Sequence, residues 1–232
     1  MSLHIQLYSA LYKLFTFIFY RRWLEGVLYK CKIKNLVGNR ATMSGKFYNS
    51  TIIFKGTSNV VESKGDIFDC NMLIVGYNNK IVIGENCIIR CKEITVRGND
   101  TNIIIGDRCQ FMGGSHFVCQ GNGNFIHIGS DCLFSTDVQI WNSDTHTIYD
   151  KYGNVANPSK PITIGDHVWL GQNVSVLKGV TIGDCSIIGM ASVVSKSIEE
   201  HSIAVGNPAR KVNICHNWDN KHVETVAKVK DE

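Results

Sequence analysis

Side chains able to do acid–base chemistry concentrate in one stretch, residues 141–161, WNSDTHTIYDKYGNVANPSKP. His146 lies there, with Asp144 two residues before it. An alcohol is a poor nucleophile at neutral pH, and an imidazole is the side-chain type suited to remove its proton as attack proceeds. Asp144 could orient such a ring or hold a substrate. No serine sits in a nucleophile-elbow phrase, so the reaction expected here is a direct transfer without a covalent enzyme intermediate. The other histidines form no second site. His4, His201, His216 and His222 fall in terminal or turn regions, and His116, His127 and His167 fall at outward positions expected to be exposed. Of these, His116 is held in reserve as a neighbour across a subunit interface.

The elements that position this stretch follow from a repeat. Ile164, Leu170, Val176, Ile182, Ile188 and Val194 recur every six residues, with Gly at 165, 171, 183 and 189. The fourth residue beyond each aliphatic is again compact, from Val168 and Val174 to Val180, Ser186 and Ser192. Six is neither the helical period nor the simple strand period. Each hexapeptide reads as one short strand and a corner, three of them closing a triangular coil of 18 residues. No coil buries its inner face alone, so many must stack. The glycine after each aliphatic reads as the residue that supplies the corner's backbone geometry.

Upstream the repeat lengthens. Val61, Ile83, Ile105 and Ile128 are spaced by 22, 22 and 23 residues, the last three opening IGENC, IGDRC and IGSDC. Ile89, Phe111, Phe117, Phe134 and Ile140 continue the pattern inside those coils. The surplus residues (GYNNK, GNDTN, GNGN) read as polar turns protruding from one corner. About seven coils are expected between residues 35 and 200. Between Ile128 and Ile164 lie 36 residues where one coil needs 18, and the surplus falls on 141–161. A long excursion from a rigid solenoid is usually functional.

Composition agrees with this reading. The chain has 232 residues, 21 Gly, 3 Pro and a formal charge of +4, with no single-sign block that would suggest nucleic-acid binding. Its nine cysteines are odd in number, and no cleavable signal peptide is apparent. Cys87, Cys109 and Cys132 share one repeat position, which makes them small apolar fillers in a reducing compartment. No paired Cys or Cys/His spacing suggests a metal, and none is expected. Residues 5–20 are strongly apolar, interrupted by Lys13 and followed by Arg21 and Arg22. They are too short for a confident membrane span. Leu7, Leu11, Leu14, Phe15 and Ile18 share a helical face, so an amphipathic helix is expected, packed on the body or a partner subunit or lying on the inner membrane face.

The run WLGQNVSVLKGVTIGDCSIIGMASVVSKSIEEHSIAVGNPARKV, residues 169–212, resembles the C-terminal coils of hexapeptide-repeat acetyltransferases. That group includes galactoside, maltose, virginiamycin and capsular or O-antigen sugar acetyltransferases, and SDTHTIYD most resembles the polysaccharide-modifying branch. The resemblance covers roughly residues 60–212. It implies an all-β, left-handed parallel β-helix at 35–212 with an active-site loop at 141–161, after an N-terminal amphipathic helical segment at 1–34 and before a short C-terminal tail at 213–232. It implies an O-acetyltransferase using acetyl-CoA, with a sugar or polysaccharide hydroxyl as acceptor and His146 as general base, assembled as a homotrimer in the cytoplasm. By the same resemblance Trp169 lies in the active site, and Gly171 and Gln172 let the cofactor approach the backbone. Met190 and Ala191 match contacts to the pantetheine arm. Ser195, Lys196 and Arg210 match the nucleotide end, while Trp141 and Asn142 are candidates for sugar contact.

Three other readings stay open. A nucleotide-sugar N-acyltransferase would commonly carry an N-terminal nucleotide-binding unit, and no GxGxxG-type opening is present. A γ-type carbonic anhydrase would need three histidines converging on zinc. A non-catalytic scaffold would not need the His146 loop.

Overall fold

The computed structural model describes residues 28–221. The expected N-terminal helix at residues 5–20 and the last part of the tail lie outside the described residues. The described chain is all strand and turn, a parallel β-solenoid of about eight turns.

Each turn contributes to three faces. The first face stacks Leu28–Tyr29, Phe47–Tyr48, Asp66–Phe68, Leu133–Phe134, Trp169–Leu170, Ile187–Ile188 and Ser202–Val205. The second stacks Lys32–Lys34, Thr51–Lys55, Asn71–Val75, Gln139–Trp141, Ser175–Leu177 and Val193–Val194. Ile88–Arg97 and Gln110–Gln120 run unbroken through the corner and serve both faces. A separate seven-stranded sheet, from Arg40–Met43 to Thr181–Ile182, forms the third. Strands at Leu28–Tyr29 and Lys32–Lys34 already pair with the next turn, so the solenoid begins ahead of residue 35.

Alternation along each strand aims apolar residues inward, and the parallel register stacks them into columns. Phe47, Ile67, Ile89, Phe111, Phe134, Leu170 and Ile188 form one such column, every member 0% exposed. The six-residue series from Ile164 to Val194 is wholly buried. One alignment made from the sequence needs correction. Ile83 pairs with Ser63, and Val61 pairs with Ile81. Both Val61 and Ser63 point inward, two residues apart on one strand, and the buried Ser63 satisfies its hydroxyl on the Gly65 carbonyl at 2.9 Å.

The repeated glycines serve close approach and not left-handed geometry. A Cβ on Gly165 would stand 2.0 Å from Asp184 Oδ1 and 2.9 Å from Asp184 N. The positive φ angles at those corners belong to Asn86, Arg108, Asp131, His167 and Cys185, at 54° to 60°. The space left by the missing Cβ admits the acidic side chain of the next turn. Asp184 Oδ1 accepts from Asp166 N at 2.8 Å and Asp166 Oδ1 from Ser130 N at 2.7 Å.

The polar surplus does not simply protrude. Asn59 and Asn79 turn inward and are buried, with Asn79 Nδ2 donating to Asn59 Oδ1 and Asn59 Nδ2 to Asn39 Oδ1, both at 3.0 Å. This ladder satisfies groups that burial would otherwise penalise. The thiols form another: Cys87, Cys109 and Cys132 donate to the carbonyls of Gly106, Gly129 and Gly165 at 3.0, 3.1 and 3.3 Å.

After the last rung, Arg210–Ile214 turns back antiparallel to Ser202–Val205. The chain then runs along a corner, Cys215 N donating to His201 O at 2.9 Å, and brings Trp218 onto His167.

Candidate active site

The excursion leaves the second face at Trp141 and returns at Ile162. Its ends are tied together, Lys160 N donating to Asn142 O at 3.0 Å. Asn142 itself is fully buried, its Oδ1 accepting from Gln120 N at 2.7 Å and its Nδ2 donating to Gln120 O at 3.0 Å. Both ends of the amide are thus committed to backbone, so Asn142 roots the loop and is not placed for the sugar contact expected of it.

Inside the loop, Tyr149 and Val155 bridge antiparallel around a turn at residues 150–154. Asn157 crosses the loop: its Nδ2 donates to Asp144 Oδ2 at 2.8 Å and to His146 O at 2.9 Å, and its Oδ1 accepts from Ile148 N at 2.7 Å. Lys178, on the rung beyond, donates to Asp144 Oδ2 and to Asn157 O. The Lys178 ammonium, and after it the Asn157 amide, hold the Asp144 carboxyl below the usual carboxylate range. Asp144 therefore spends its carboxylate on Lys178 and Asn157 and does not orient the His146 ring. His146 stands exposed on this braced loop, its backbone N donating to Asp144 O at 2.7 Å.

Beside the loop lies a groove of about 320 Å³, lined by Gln139, Trp141, Ser143, Asp144, Leu177 and Lys178. Trp141 Nε1 donates to Gln139 Oε1 at 3.2 Å, and its ring meets His116 edge-on, centroids 5.2 Å apart. His116 Nε2 lies 3.7 Å from Glu93 Oε2. The coil histidines are thus partly covered and not freely exposed: His116 is enclosed by Trp141 and Glu93, His127 stacks on Phe125 at 4.2 Å, and His167 stacks on Trp218. Burial lowers the His127 pKa.

The remaining expected residues lie elsewhere. Trp169, 36% exposed, is on the first face, and Gly171, Gln172, Met190 and Ala191 occupy the corner between the first and second faces. There Ala191 takes φ 58° and its N donates to Gln172 O at 2.8 Å. A Cβ on Gly171 would reach within 2.7 Å of Met190 N. Ser195 and Lys196 share the far corner with the loop, both exposed. Lys196 and Arg210 line a second groove of about 310 Å³ together with Ser197, Glu199 and Lys211. Within one chain, the loop group and the Trp169 group stand at opposite ends of the second face and do not meet.

Lys178, Gln139, Ser197 and Lys211 are absent from the sequence-based set. Lys178 had a signal: Trp141 pairs with Leu177, so the residue following each stands in the same register. Among the described residues, no three His, Cys, Asp or Glu side chains converge on a point that could hold a metal ion. No helix there is long and apolar enough to cross a membrane.

Residues 161–196 match the family model described as Bacterial transferase hexapeptide (six repeats). The polysialic acid O-acetyltransferase of Neisseria meningitidis is 36% identical over 128 residues, a stretch covering 47% of this chain and 60% of that protein. The solved structure of the polysialic acid O-acetyltransferase OatWY superposes with a TM-score of 0.69 at 25% identity, covering 89% of this chain and 95% of that one. The polySia-specific acetyltransferase NeuO gives 0.68 at 24% identity, over 89% and 97% of the two chains, and shares the fold. With its six-residue period, its three-faced parallel solenoid and these likenesses, the chain is similar to the hexapeptide-repeat acetyltransferases, and the matched stretch spans less than two thirds of the length of the Neisseria relative.

Proposed function

We propose that the protein moves an acetyl group from acetyl-CoA to a sugar hydroxyl of a capsular or O-antigen polysaccharide or its precursor. One observation carries the reading: an excursion from the solenoid, braced by Lys178, Asp144 and Asn157, presents an unencumbered His146 beside a groove. The likeness to polysialic acid O-acetyltransferases supports a polymeric, sugar-based acceptor.

In this account the acceptor hydroxyl gives its proton to the His146 imidazole while its oxygen attacks the thioester carbonyl. The tetrahedral intermediate collapses with the C–S bond breaking. The imidazolium returns the proton to the departing coenzyme A thiolate, and the histidine ends as it began. Lys178 and Asn157 fix the loop, so the base needs no reorganisation when substrate arrives. Trp141 offers an aromatic face to the sugar. Trp169 borders the reacting atoms, and Gly171, Gln172, Met190 and Ala191 lie along the pantetheine arm. Ser195, Lys196 and Arg210 attend the nucleotide end, where charge favours phosphate.

We read the coil as left-handed and the assembly as a homotrimer. Stacking three protomers side by side would bring the loop of one against the Trp169 edge of the next, and so unite groups that a single chain holds apart. We place the enzyme in the cytoplasm, with the apolar residues 5–20 packed on the body or a partner subunit or lying on the inner membrane face. The test is thiol release from acetyl-CoA over a panel of glycans, polysialic acid included, with the product examined for ester-linked acetyl. Transfer to no glycan of the panel would sink the proposal.

A further inference from the structure

The C-terminal tail does more than close the last rung. It passes the His201 corner and the Cys185 corner and reaches back two rungs to His167. There Trp218 lies flat on the imidazole, centroids 4.2 Å apart and planes within 10°. Its Nε1–H donates to His167 O at 2.8 Å. His167 Nε2 stands 3.1 Å from Asn217 Oδ1 and 3.0 Å from Trp218 O, both acceptors, so that nitrogen carries the proton. The latch therefore closes in both directions, imidazole to tail and indole to coil.

Its foundation is rigid. His167 occupies a left-handed corner, φ 56°, and its N donates to Ser130 O at 2.8 Å. Two residues on, Trp169 N donates to Ser186 O at 2.9 Å, which fixes the backbone, and its partly exposed side chain stands in register between Leu133 and Ile187. Along its own face the Trp169 indole reaches Ser135 Oγ only at 3.5 Å. A further neighbour is Trp218, whose ring centroid is 5.9 Å from that of Trp169 at a 44° tilt. Such an offset, tilted arrangement is the favoured geometry for two aromatic rings.

We propose that Trp218 is a positioning residue for Trp169: the tail, latched on His167, sets the angle at which the Trp169 indole meets the reacting thioester or sugar. This rests on the acetyltransferase reading of the site. Trp218 touches no substrate in this account and acts through the neighbouring ring alone.

Two readouts test it. Indoles this close couple excitonically, so circular dichroism of wild type should carry a bisignate band that Trp169→Phe and Trp218→Phe each remove. Both variants keep an aromatic ring in place, which guards the fold. In turnover, Trp218→Ala should lower kcat/KM about tenfold, since small misplacements near the chemistry are costly. The Trp169→Ala, Trp218→Ala pair should be no slower than Trp169→Ala alone. Losses that multiply, or a couplet that survives either Phe substitution, would overturn the proposal. A wild type that shows the couplet yet transfers to no glycan would sink the acetyltransferase reading, and the positioning role with it, while the ring contact stood.

Discussion

The Lys178 ammonium donates to Asp144 Oδ2, and through that pair a rung of the solenoid holds the only long excursion among the described residues. The same lysine reaches Asn157 O, and Asn157 reaches back to Asp144 and His146 O. A loop that would otherwise sample many conformations is thereby braced around the histidine.

Removing this brace should separate activity from stability. Lys178 and Asp144 side chains are 21% and 44% exposed, and partly exposed ion pairs contribute roughly 0–1 kcal/mol. Lys178→Met is expected to shift the melting temperature little and to lower transfer about tenfold to a hundredfold. Melting curves beside steady-state turnover decide it; an equal fall in both would make Lys178 an ordinary structural residue.

The pH dependence of the brace has a definite sign. Asp144 is held ionised by Lys178 and then Asn157, so its folded pKa lies below its unfolded value of about 3.9. A carboxyl depressed in this way contributes fully above the unfolded value and loses that contribution as pH falls through the folded one. The brace should therefore be intact from pH 5 to 8. Any fall in kcat/KM in that range belongs to another group, and Asp144→Asn should lower the profile without moving its midpoint. A shifted midpoint would show Asp144 titrating in the reaction.

Gly165→Ala tests the corner geometry. Its Cβ would meet Asp184 Oδ1 at 2.0 Å and the Asp184 backbone N at 2.9 Å, so a side-chain movement alone cannot relieve it. Overpacking of this kind costs about 1–3 kcal/mol, and denaturant midpoints should fall accordingly. An unchanged midpoint would mean that the rungs spread without penalty.

The thiols should divide by burial. Cys31 and Cys185 are partly exposed, while the other seven are buried and all nine are free. Burial alone pushes Cys119 up to about 12, and Cys109, which donates toward the next turn and stacks on Cys132, is also raised to about 12. A thiol reagent should label about two cysteines in the native protein and the rest only on unfolding, because the thiolate is the reactive form. Rapid labelling of seven or more under native conditions would contradict the packed interior.

The stacked coil was legible because an inward position with neighbours above and below must be aliphatic, and Ile164 to Val194 repeats that demand every six residues. Its upstream register was not. Strand alternation turns two residues inward, and only pairing tells Val61 from the small, self-satisfied Ser63. The glycine pattern was visible, but its cause was not, since the atom it avoids, Asp184 Oδ1, belongs to the next turn. In the site, His146 stood out as the histidine of the excursion. Asn142 misled because a polar residue opening a loop resembles a ligand contact, whereas here it is spent on Gln120. The seat of Trp218 on His167, 51 residues away in sequence, follows no local pattern.

The most direct test of the central claim is single-turnover transfer from acetyl-CoA to an accepted glycan by wild type and by His146→Ala, with acetyl-CoA binding measured on both. With His146 as general base, the variant binds acetyl-CoA as wild type does and its transfer falls by about 10²–10⁴-fold. Transfer at the wild-type rate by the variant would contradict that account and move the search for a base to His116, edge-on to the Trp141 that lines the groove.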